Sequence, residues 1–233
     1  MNSSSSISDI TYRKATIKDI DYIAEILVQA EKSDNEYSPM QIIFGLSSEE
    51  YFKLIKNVLE EEVPGSEYFY DNYVLVFVKN EFAGGIAVWI EGKGKKSSNF
   101  LKASLLSHYL GIEKWKESTN QLKLFATITH KRQSGILQID SAFVVPKFQG
   151  NRLYHKLIQY GISLFLNDIV KIKKAQIVSI IENVKSVKSL QKFGFKIVNE
   201  KQSDIPELNI LLSGTGFYQF ELDLINYKNI KYD

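Results

Sequence analysis

The spacing of apolar residues predicts two amphipathic helices in the first third of the chain. Apolar positions three or four residues apart indicate a helix over Lys18–Ala30. A second helix is predicted after Ser47, because Ser47 and Glu50 form an S-x-x-E capping box and the same spacing continues to Leu59. Pro64-Gly65 follows and ends it.

Apolar runs bounded by turn residues predict the strands. They are Ile10–Lys14, Tyr73–Val78, Phe82–Ile90, Ile136–Val145, Ala175–Ile181, Phe195–Asn199 and Phe217–Leu224, with Leu122–Ile128 as a further candidate. Gly84-Gly85 inside the third run indicates a bulge or a close approach of backbones. Further helices are predicted over Gly150–Leu166 and Val184–Phe193, with helical pieces in Asn99–Thr119. This order of elements describes one α/β domain.

Composition excludes several classes of protein. Hydrophobic residues are 44% and charged residues 24% of the chain, as in ordinary globular proteins. The 29 basic and 27 acidic residues give a net charge of +2, which supports neither a nucleic-acid nor a membrane partner. Cysteine is absent, which excludes disulfide frameworks, Cys-zinc sites and thiol catalysis. The scattered His108, His130 and His155 do not form a metal set, and no metal is expected.

The N-terminal sequence and the overall hydropathy lead us to expect a cytoplasmic protein. No run approaches the ~20 apolar residues that a membrane helix needs. The serine-rich start lacks the basic and apolar regions of a signal peptide. We expect residues 1–7 to form a disordered tail and residues 8–233 to form a single domain.

Two segments in the last third of the chain are the strongest candidates for chemistry. Val144–Tyr154 combines a buried strand, a turn and the start of a helix. A helix that opens directly after a strand presents unpaired amides and the positive end of its dipole, which attract phosphate. The turn is neither a Walker A loop nor a G-x-G-x-x-G motif. Asn183–Phe195 brackets a short helix after the next strand.

Together these segments resemble the GNAT superfamily of acetyl-CoA-dependent N-acetyltransferases. Val144–Tyr154 is similar to the family's V-x-P-x-x-Q/R-G-x-G-x-G/A loop, and Asn183–Phe195 is similar to its N-x-x-S-x-x-x-Y-x-K-x-G-F element. The resemblance implies a mixed, mostly antiparallel sheet that is flanked by helices and splayed at a central parallel strand pair. It spans nearly the whole chain, with an insertion at about 93–135.

The resemblance also implies acetyl-CoA as a cosubstrate. The residues that it assigns to cofactor binding are Phe143, Val144, Val145, Gln149, Gly150, Asn151, Arg152, Leu153, Tyr154, Asn183 and Ser186. Main-chain groups of the strand would pair with the pantetheine arm, and amides of the loop would hold the pyrophosphate. Arg152 and Tyr154 depart from the family pattern, which has small residues at both positions.

Basic residues surround the proposed cofactor site. They are Lys147, Arg152, Lys156, Lys185 and Lys188. Their charge suits a ligand with several phosphates, and an ordinary solvated helix face is the alternative explanation.

Asp140 is the one acidic residue inside the predicted central strand. With a period of two, it should share a face of the sheet with Gln138, Ala142 and Val144. A carboxylate in an apolar strand is costly unless it is paired or used, so Asp140 is a candidate general base or amine-binding group. A structural salt bridge is the alternative.

The implied reaction is direct transfer of an acetyl group to a primary amine of a small molecule or peptide within a ternary complex. Leu190 occupies the position at which many family members carry the tyrosine that protonates the leaving thiolate. Tyr154 is the nearest tyrosine that could replace it, and Tyr218 is a second one. We expect the N-terminal helices and the insertion to select the acceptor.

Two other functions stay open at the level of sequence. The missing tyrosine at Leu190 is compatible with a catalytically weak protein of the same fold that binds or senses CoA. An interaction module without a cofactor is the third hypothesis. The oligomeric state is also open, with a homodimer among the alternatives.

Overall fold

The computed structural model describes residues 9–32, 35–165, 172–225 and 227. Its strands are β1 (Ile10–Lys14), β2 (Tyr73–Val78), β3 (Glu81–Ile90), β4 (Leu137–Val144), β5 (Lys174–Ile180), β6 (Lys196–Gln202) and β7 (Gly216–Asp223). Its helices are α1 (Ile20–Lys32), α2 (Pro39–Phe44), α3 (Ser48–Glu60), α4 (Ser98–Leu110), α5 (Ile112–Ile128), α6 (Leu153–Ser163), α7 (Val184–Phe193) and α8 (Pro206–Leu212). The predicted tail, residues 1–7, lies outside the described residues.

The strands form one sheet in the order β1-β2-β3-β4-β5-β7-β6. The pairing of β4 with β5 is parallel, and the other pairings between described strands are antiparallel. This topology confirms the predicted fold class, including the central parallel pair. Within the described residues, no helix is long and apolar enough to cross a membrane.

Two apolar clusters cover the two faces of the sheet. The first cluster packs α1, α2 and α3, together with residues of α4, α5 and α8, against one face. The second cluster packs α6 and α7 against the other face. The helices of the 93–135 segment therefore belong to the first face, whereas the helices of the two motif segments belong to the second.

Three helical segments differ from the sequence prediction. Leu122–Ile128, a candidate strand, is the end of α5, because a short apolar run does not by itself distinguish a strand from a buried helix. The short helices α2 and α8 were not predicted. For α2 the sequence holds a start signal, since Ser38 Oγ accepts from Gln41 N at 3.1 Å and Pro39 occupies the first helical position.

Gly84 and Gly85 lie where β3 approaches its neighbours closely, as predicted. A Cβ on Gly84 would stand 2.2 Å from the carbonyl oxygen of Phe143 on β4. A Cβ on Gly85 would stand 2.4 Å from Cδ1 of Ile26 on α1. Larger residues here would therefore separate β3 from the strand and the helix that support the site.

A β-bulge at Ser141 interrupts β4. The residue pairs of β3 and β4 shift register between Gly85 and Ala87, and Ser141 adopts a positive φ of 47°. The extra residue lies on β4, directly after Asp140.

The bulge reverses the alternation of side chains along β4. Leu137 and Ile139 belong to the second cluster before it, and Ala142 and Val144 belong to the same cluster after it. The prediction that Asp140 shares a face with Ala142 and Val144 is therefore wrong, because a period of two assumes an uninterrupted strand.

Candidate active site

The parallel strands β4 and β5 separate after a short contact. Their pairing is confined to Leu137–Ala175 and Gln138–Gln176. Beyond this point β4 continues beside β3, and β5 continues beside β7. A cleft of about 1540 Å³ is lined by the separated parts of both strands. Such a gap leaves main-chain groups of both strands open to a ligand.

A polar ladder fixes the closed end of this gap. Gln138 Nε2 donates to Gln176 Oε1 at 3.1 Å, and Gln176 Nε2 donates to Glu221 Oε1 at 2.9 Å. Gln138 and Gln176 are 4% and 1% exposed, so these bonds satisfy amides that would otherwise be buried at a cost. The ladder holds β4, β5 and β7 in register at the point where the strands diverge.

The turn between β4 and α6 contains two residues with a left-handed backbone. Gly150 and Arg152 have φ values of 81° and 60°. Asn151 Nδ2 donates to the carbonyl oxygens of Phe148 and Gln149 at 3.0 and 3.1 Å, which stabilises the turn. Arg152 therefore adopts the left-handed backbone that a glycine would adopt without strain.

The start of α6 presents unpaired amides. The helix begins at Leu153 without a side-chain cap, and Lys156 N donates to Arg152 O at 3.1 Å. In the part of the chain that the structure describes, the amides from Gly150 to Tyr154 have no protein acceptor. These donors and the helix dipole suit an anion such as a pyrophosphate.

Replacing Arg152 by Gly should stabilise the ligand-free protein. The left-handed conformation costs a residue with a side chain roughly 1 kcal/mol, and glycine removes most of that cost despite its greater freedom in the unfolded chain. We expect the free energy of unfolding to rise by about 0.5 kcal/mol in urea titrations. Gly150→Ala is the control and should lower it, because φ at Gly150 is also positive. Equal stabilities of the three proteins would contradict the argument.

The strand residues of the predicted cofactor site differ in their access to the cleft. Val144 lines the cleft, and its carbonyl oxygen accepts from Gln149 Nε2 at 3.0 Å. Val145 N donates to Ala83 O at 3.0 Å, so that amide belongs to the sheet. Phe143 packs against the first cluster, and neither it nor Val145 is among the described residues that line the cleft.

Asn183 and Ser186 border the cleft at the start of α7. Asn183 Oδ1 accepts from Ser186 N at 3.0 Å, so the N-x-x-S pattern forms the N-cap of this helix. Leu153 is 2% exposed and packs in the second cluster, and its contribution to a ligand would come from its backbone. The two motif segments thus meet at one cleft.

Basic side chains surround the same region. Those that line the cleft from the start of α6 and from α7 are Arg152, Lys156, Lys185, Lys188 and Lys192. None of these five forms a salt bridge with another described residue. Lys147 differs, since it is paired with Glu81 and does not line the cleft. Five uncompensated cations suit a ligand that carries several phosphates.

Asp140 lies on the cleft with a partner at each carboxylate oxygen. Its Oδ2 accepts from Arg132 Nη2 at 2.6 Å, and its Oδ1 accepts from Ser141 N at 2.7 Å. The salt bridge considered as the structural alternative is therefore present. The side chain nevertheless remains 38% exposed and lines the cleft, so a ligand can reach it.

Tyr154 lines the cleft beside Ser186, whereas Leu190 does not reach it. Burial raises the pKa of the Tyr154 hydroxyl well above its usual range, a hydrogen bond with Ser186 lowers it, and the charge of Asp140 raises it further. Leu190 is 0% exposed and packs in the second cluster. Tyr218 packs against Phe220 and is not among the described lining residues. Of the two tyrosines considered, Tyr154 is the one at the site.

A buried ionic network on the cleft was not predicted from the sequence. Arg132 pairs with Glu67, and Lys102 Nζ lies 2.6 Å from Glu67 Oε1 and 3.7 Å from Glu31 Oε1. Burial opposes ionisation of Glu67, but Arg132 and Lys102 outweigh it and lower its pKa to about 2. Burial raises the pKa of Glu31, which accepts a hydrogen bond from Tyr51. These residues come from separate segments, and no local motif joins them.

Two histidines contribute to the walls of the cleft. His130 Nε2 lies 2.9 Å from Phe217 O, and because a carbonyl oxygen only accepts, Nε2 is the donor of this hydrogen bond. His155 Nε2 lies 2.8 Å from Ser189 Oγ, and burial lowers the pKa of its ring. Among the described residues, no group of three or more His, Asp or Glu side chains is arranged to hold a metal ion.

Solved structures with the same fold are acetyltransferases. An N-acetyltransferase from Staphylococcus aureus Mu50 superposes with a TM-score of 0.59 at 15% identity, over 91% of this chain and all of the other. A second acetyltransferase gives 0.57 at 17% identity, over 92% and 99%. An apo form of a variant agmatine N-acetyltransferase gives 0.53 at 12% identity, over 93% and 100%.

These likenesses establish that the chain has the GNAT acetyltransferase fold, as the motif resemblance implied. Neither a protein-family model nor a curated protein matches the sequence. At such low identity the shared property is the fold, and the function has to be argued from the site.

Proposed function

We propose that this protein transfers an acetyl group from acetyl-CoA to a primary amine by direct attack in a ternary complex. One observation carries the proposal: a single cleft is lined by Gly150 and Arg152–Tyr154, whose amides are unpaired, and also by Asp140. A phosphate-binding turn and two groups capable of acid–base chemistry thus border the same space.

The cleft has the donors that acetyl-CoA requires. The free amides at the start of α6 would bind the pyrophosphate, and the five surrounding cations would balance the charge of the phosphates. Main-chain groups of β4 near Val144 would pair with the pantetheine arm in the gap between β4 and β5. The acetyl thioester supplies an activated acyl group, so the protein needs to position an amine and to stabilise the charges that develop.

Two side chains have distinct roles in this proposal. Asp140 is a carboxylate that would hold the incoming ammonium and accept a proton from it, directly or through a water molecule. Tyr154 would donate a hydrogen bond to the sulfur as it leaves. A strand amide near Val144 would donate to the carbonyl oxygen as negative charge develops on it.

The double substitution Lys185→Ala, Lys188→Ala should weaken acetyl-CoA binding about tenfold. Both lysines line the cleft without a carboxylate partner among the described residues, so their loss removes attraction for the phosphates. Calorimetric titration at two salt concentrations would measure the effect, which should shrink as salt rises. Lys147→Ala is the matched control and should change the affinity less than twofold, because Lys147 is paired with Glu81.

A CoA-binding or sensing protein is the second candidate, and the position of Leu190 favours it. Leu190 is buried in the second cluster, so α7 presents no tyrosine to the cleft there. Thiol release from acetyl-CoA over a panel of primary amines separates the two functions. Turnover establishes the enzyme, whereas calorimetric binding of acetyl-CoA without turnover of any amine favours the sensor.

A further inference from the structure

Four aromatic side chains on the first face of the sheet line the cleft in two pairs, and we call the wall that they form the aromatic pocket. They are Phe44 on α2, Trp115 and Phe125 on α5, and Phe217 on β7. The Phe44 and Trp115 rings are stacked with centroids 6.2 Å apart, and the Phe125 and Phe217 rings meet edge to face at 6.1 Å. All four belong to or pack against the first cluster, on the side of the sheet opposite α6 and α7.

The aromatic pocket remains accessible to a ligand. Trp115, Phe125 and Phe217 are only partly buried, although they pack against the first cluster. Met40, Leu106 and Leu122 add further apolar surface to the same wall. An apolar wall that packs on a core and still faces a cleft is typical of a binding site for an apolar group.

The ionic network provides the polar part of the same acceptor region. Three carboxylates, of Glu31, Glu67 and Asp140, face two cations, Lys102 and Arg132. All five line the cleft. Asp140 is the most exposed of the three carboxylates, at 38% against 18% for Glu31 and 10% for Glu67, so a cationic ligand can contact it.

An unpartnered hydroxyl lies within this network. Tyr68 is 1% exposed, and its hydroxyl has no hydrogen-bond partner among the described residues. Lys102 Nζ lies 5.0 Å from the centroid of the Tyr68 ring, which places this side chain beside the network. Burial, and then the charges of Glu31 and Glu67, raise the pKa of its hydroxyl well above its usual range. A buried polar atom of this kind is costly unless a ligand or a water molecule satisfies it.

From these features we infer that the acceptor is a primary ammonium attached to an apolar, preferably aromatic, body. The ammonium would lie beside Asp140, and the apolar body would occupy the aromatic pocket. The aliphatic part of the wall, Met40, Leu106 and Leu122, argues against an alkyl diamine or polyamine, because a second charged nitrogen would lose its hydration there. The exposed carboxylate of Asp140 argues against a longer acyl chain of the donor as the occupant, because such a chain has no charge to pair with it.

This inference rests on the proposed acetyl transfer, and a substrate comparison tests it. At saturating acetyl-CoA, thiol release should give a kcat/KM for 2-phenylethylamine at least thirtyfold above those for ethylamine and putrescine. A preference for putrescine would overturn the inference and leave the proposed function intact. A preference for hexanoyl-CoA over acetyl-CoA would also overturn it, since the acyl chain would then occupy the pocket.

A substitution that fills the pocket provides the second test. Ala126 is an exposed residue of α5 that lines the cleft, so Ala126→Phe should narrow the pocket without opening a void in the core. We expect kcat/KM for 2-phenylethylamine to fall at least tenfold and that for ethylamine to change less than twofold. Thr127→Phe, on the same helix but outside the described lining residues, is the control and should change neither value. Equal losses for both amines would contradict the inference.

Binding separates this inference from the proposed function. Calorimetric titration of 2-phenylethylamine into the protein saturated with CoA should show binding that Ala126→Phe weakens at least tenfold. Such binding without turnover of any amine would end the proposal of catalysis but support the assignment of the pocket. Absence of binding, together with turnover of other amines, would overturn the assignment alone.

Discussion

Replacing Asp140 by Asn is expected to lower kcat/KM for the amine about a hundredfold and to leave acetyl-CoA affinity within twofold. The substitution removes the negative charge that would hold the ammonium and accept its proton, a contribution typically worth ~10²–10⁴-fold in rate. In the proposed site, acetyl-CoA would be held by the start of α6 and the surrounding cations, which the change does not touch. Thiol release and calorimetric titration measure the two quantities separately.

The local structure should survive this substitution. The asparagine oxygen can still accept from Ser141 N, and Arg132 keeps Glu67, Ser98 and Asn99 as partners. Asp71→Asn is a matched control, since Asp71 is a surface residue paired with Lys14 and does not line the main cleft. If Asp140→Asn unfolds the protein while Asp71→Asn does not, Asp140 is a structural salt-bridge residue. Unchanged turnover in a folded variant would remove Asp140 from the mechanism.

The cofactor side of the cleft was predictable because its residues are contiguous in the sequence. The turn at Gln149–Arg152 and the cap at Asn183 are local arrangements, so their motifs specify conformation as well as composition. The secondary structure predicted for the 93–135 segment was partly wrong, because Leu122–Ile128 has the apolar content of a strand but continues the helix α5.

The individual residues of the proposed acceptor side could not be predicted, because contacts distant in the sequence bring them together. Glu31, Glu67, Lys102 and Arg132 meet only after α1, the segment following α3, α4 and the segment following α5 have packed on the sheet. The bulge at Ser141 is a further example, since one extra residue changes the face of each following side chain. Neither feature leaves a periodic signal in the sequence.

The same limit applies to the choice of tyrosine. The motif comparison identifies Leu190 as a departure from the family, but it does not show that a residue of α6 occupies the cleft instead. In the structure Leu190 supports the second cluster, and Tyr154 lies near Ser186 on the neighbouring helix. Tyr154 on α6 thus lies where it could replace the tyrosine that α7 lacks at Leu190.

Replacing Tyr154 by Phe is therefore expected to lower kcat about a hundredfold while acetyl-CoA affinity changes less than threefold. The substitution keeps the ring that packs in the second cluster and removes only the hydroxyl. Tyr218→Phe is the matched control and should leave kcat within twofold, because Tyr218 is not among the described lining residues. Thiol release at saturating amine gives kcat, and calorimetric titration gives the affinity.

The raised pKa of Tyr154 determines how kcat should depend on pH. A hydroxyl whose pKa lies above 10 stays protonated across the range in which the protein is assayed, so its loss should lower kcat by the same factor from pH 6 to pH 9. A thiol with a pKa near 8.5 is a stronger acid than the Tyr154 hydroxyl. Tyr154 would therefore stabilise the departing thiolate by a hydrogen bond and need not transfer its proton fully. A loss that disappears at high pH would instead show that Tyr154 titrates in this range, and unchanged kcat would show that the thiolate leaves without it.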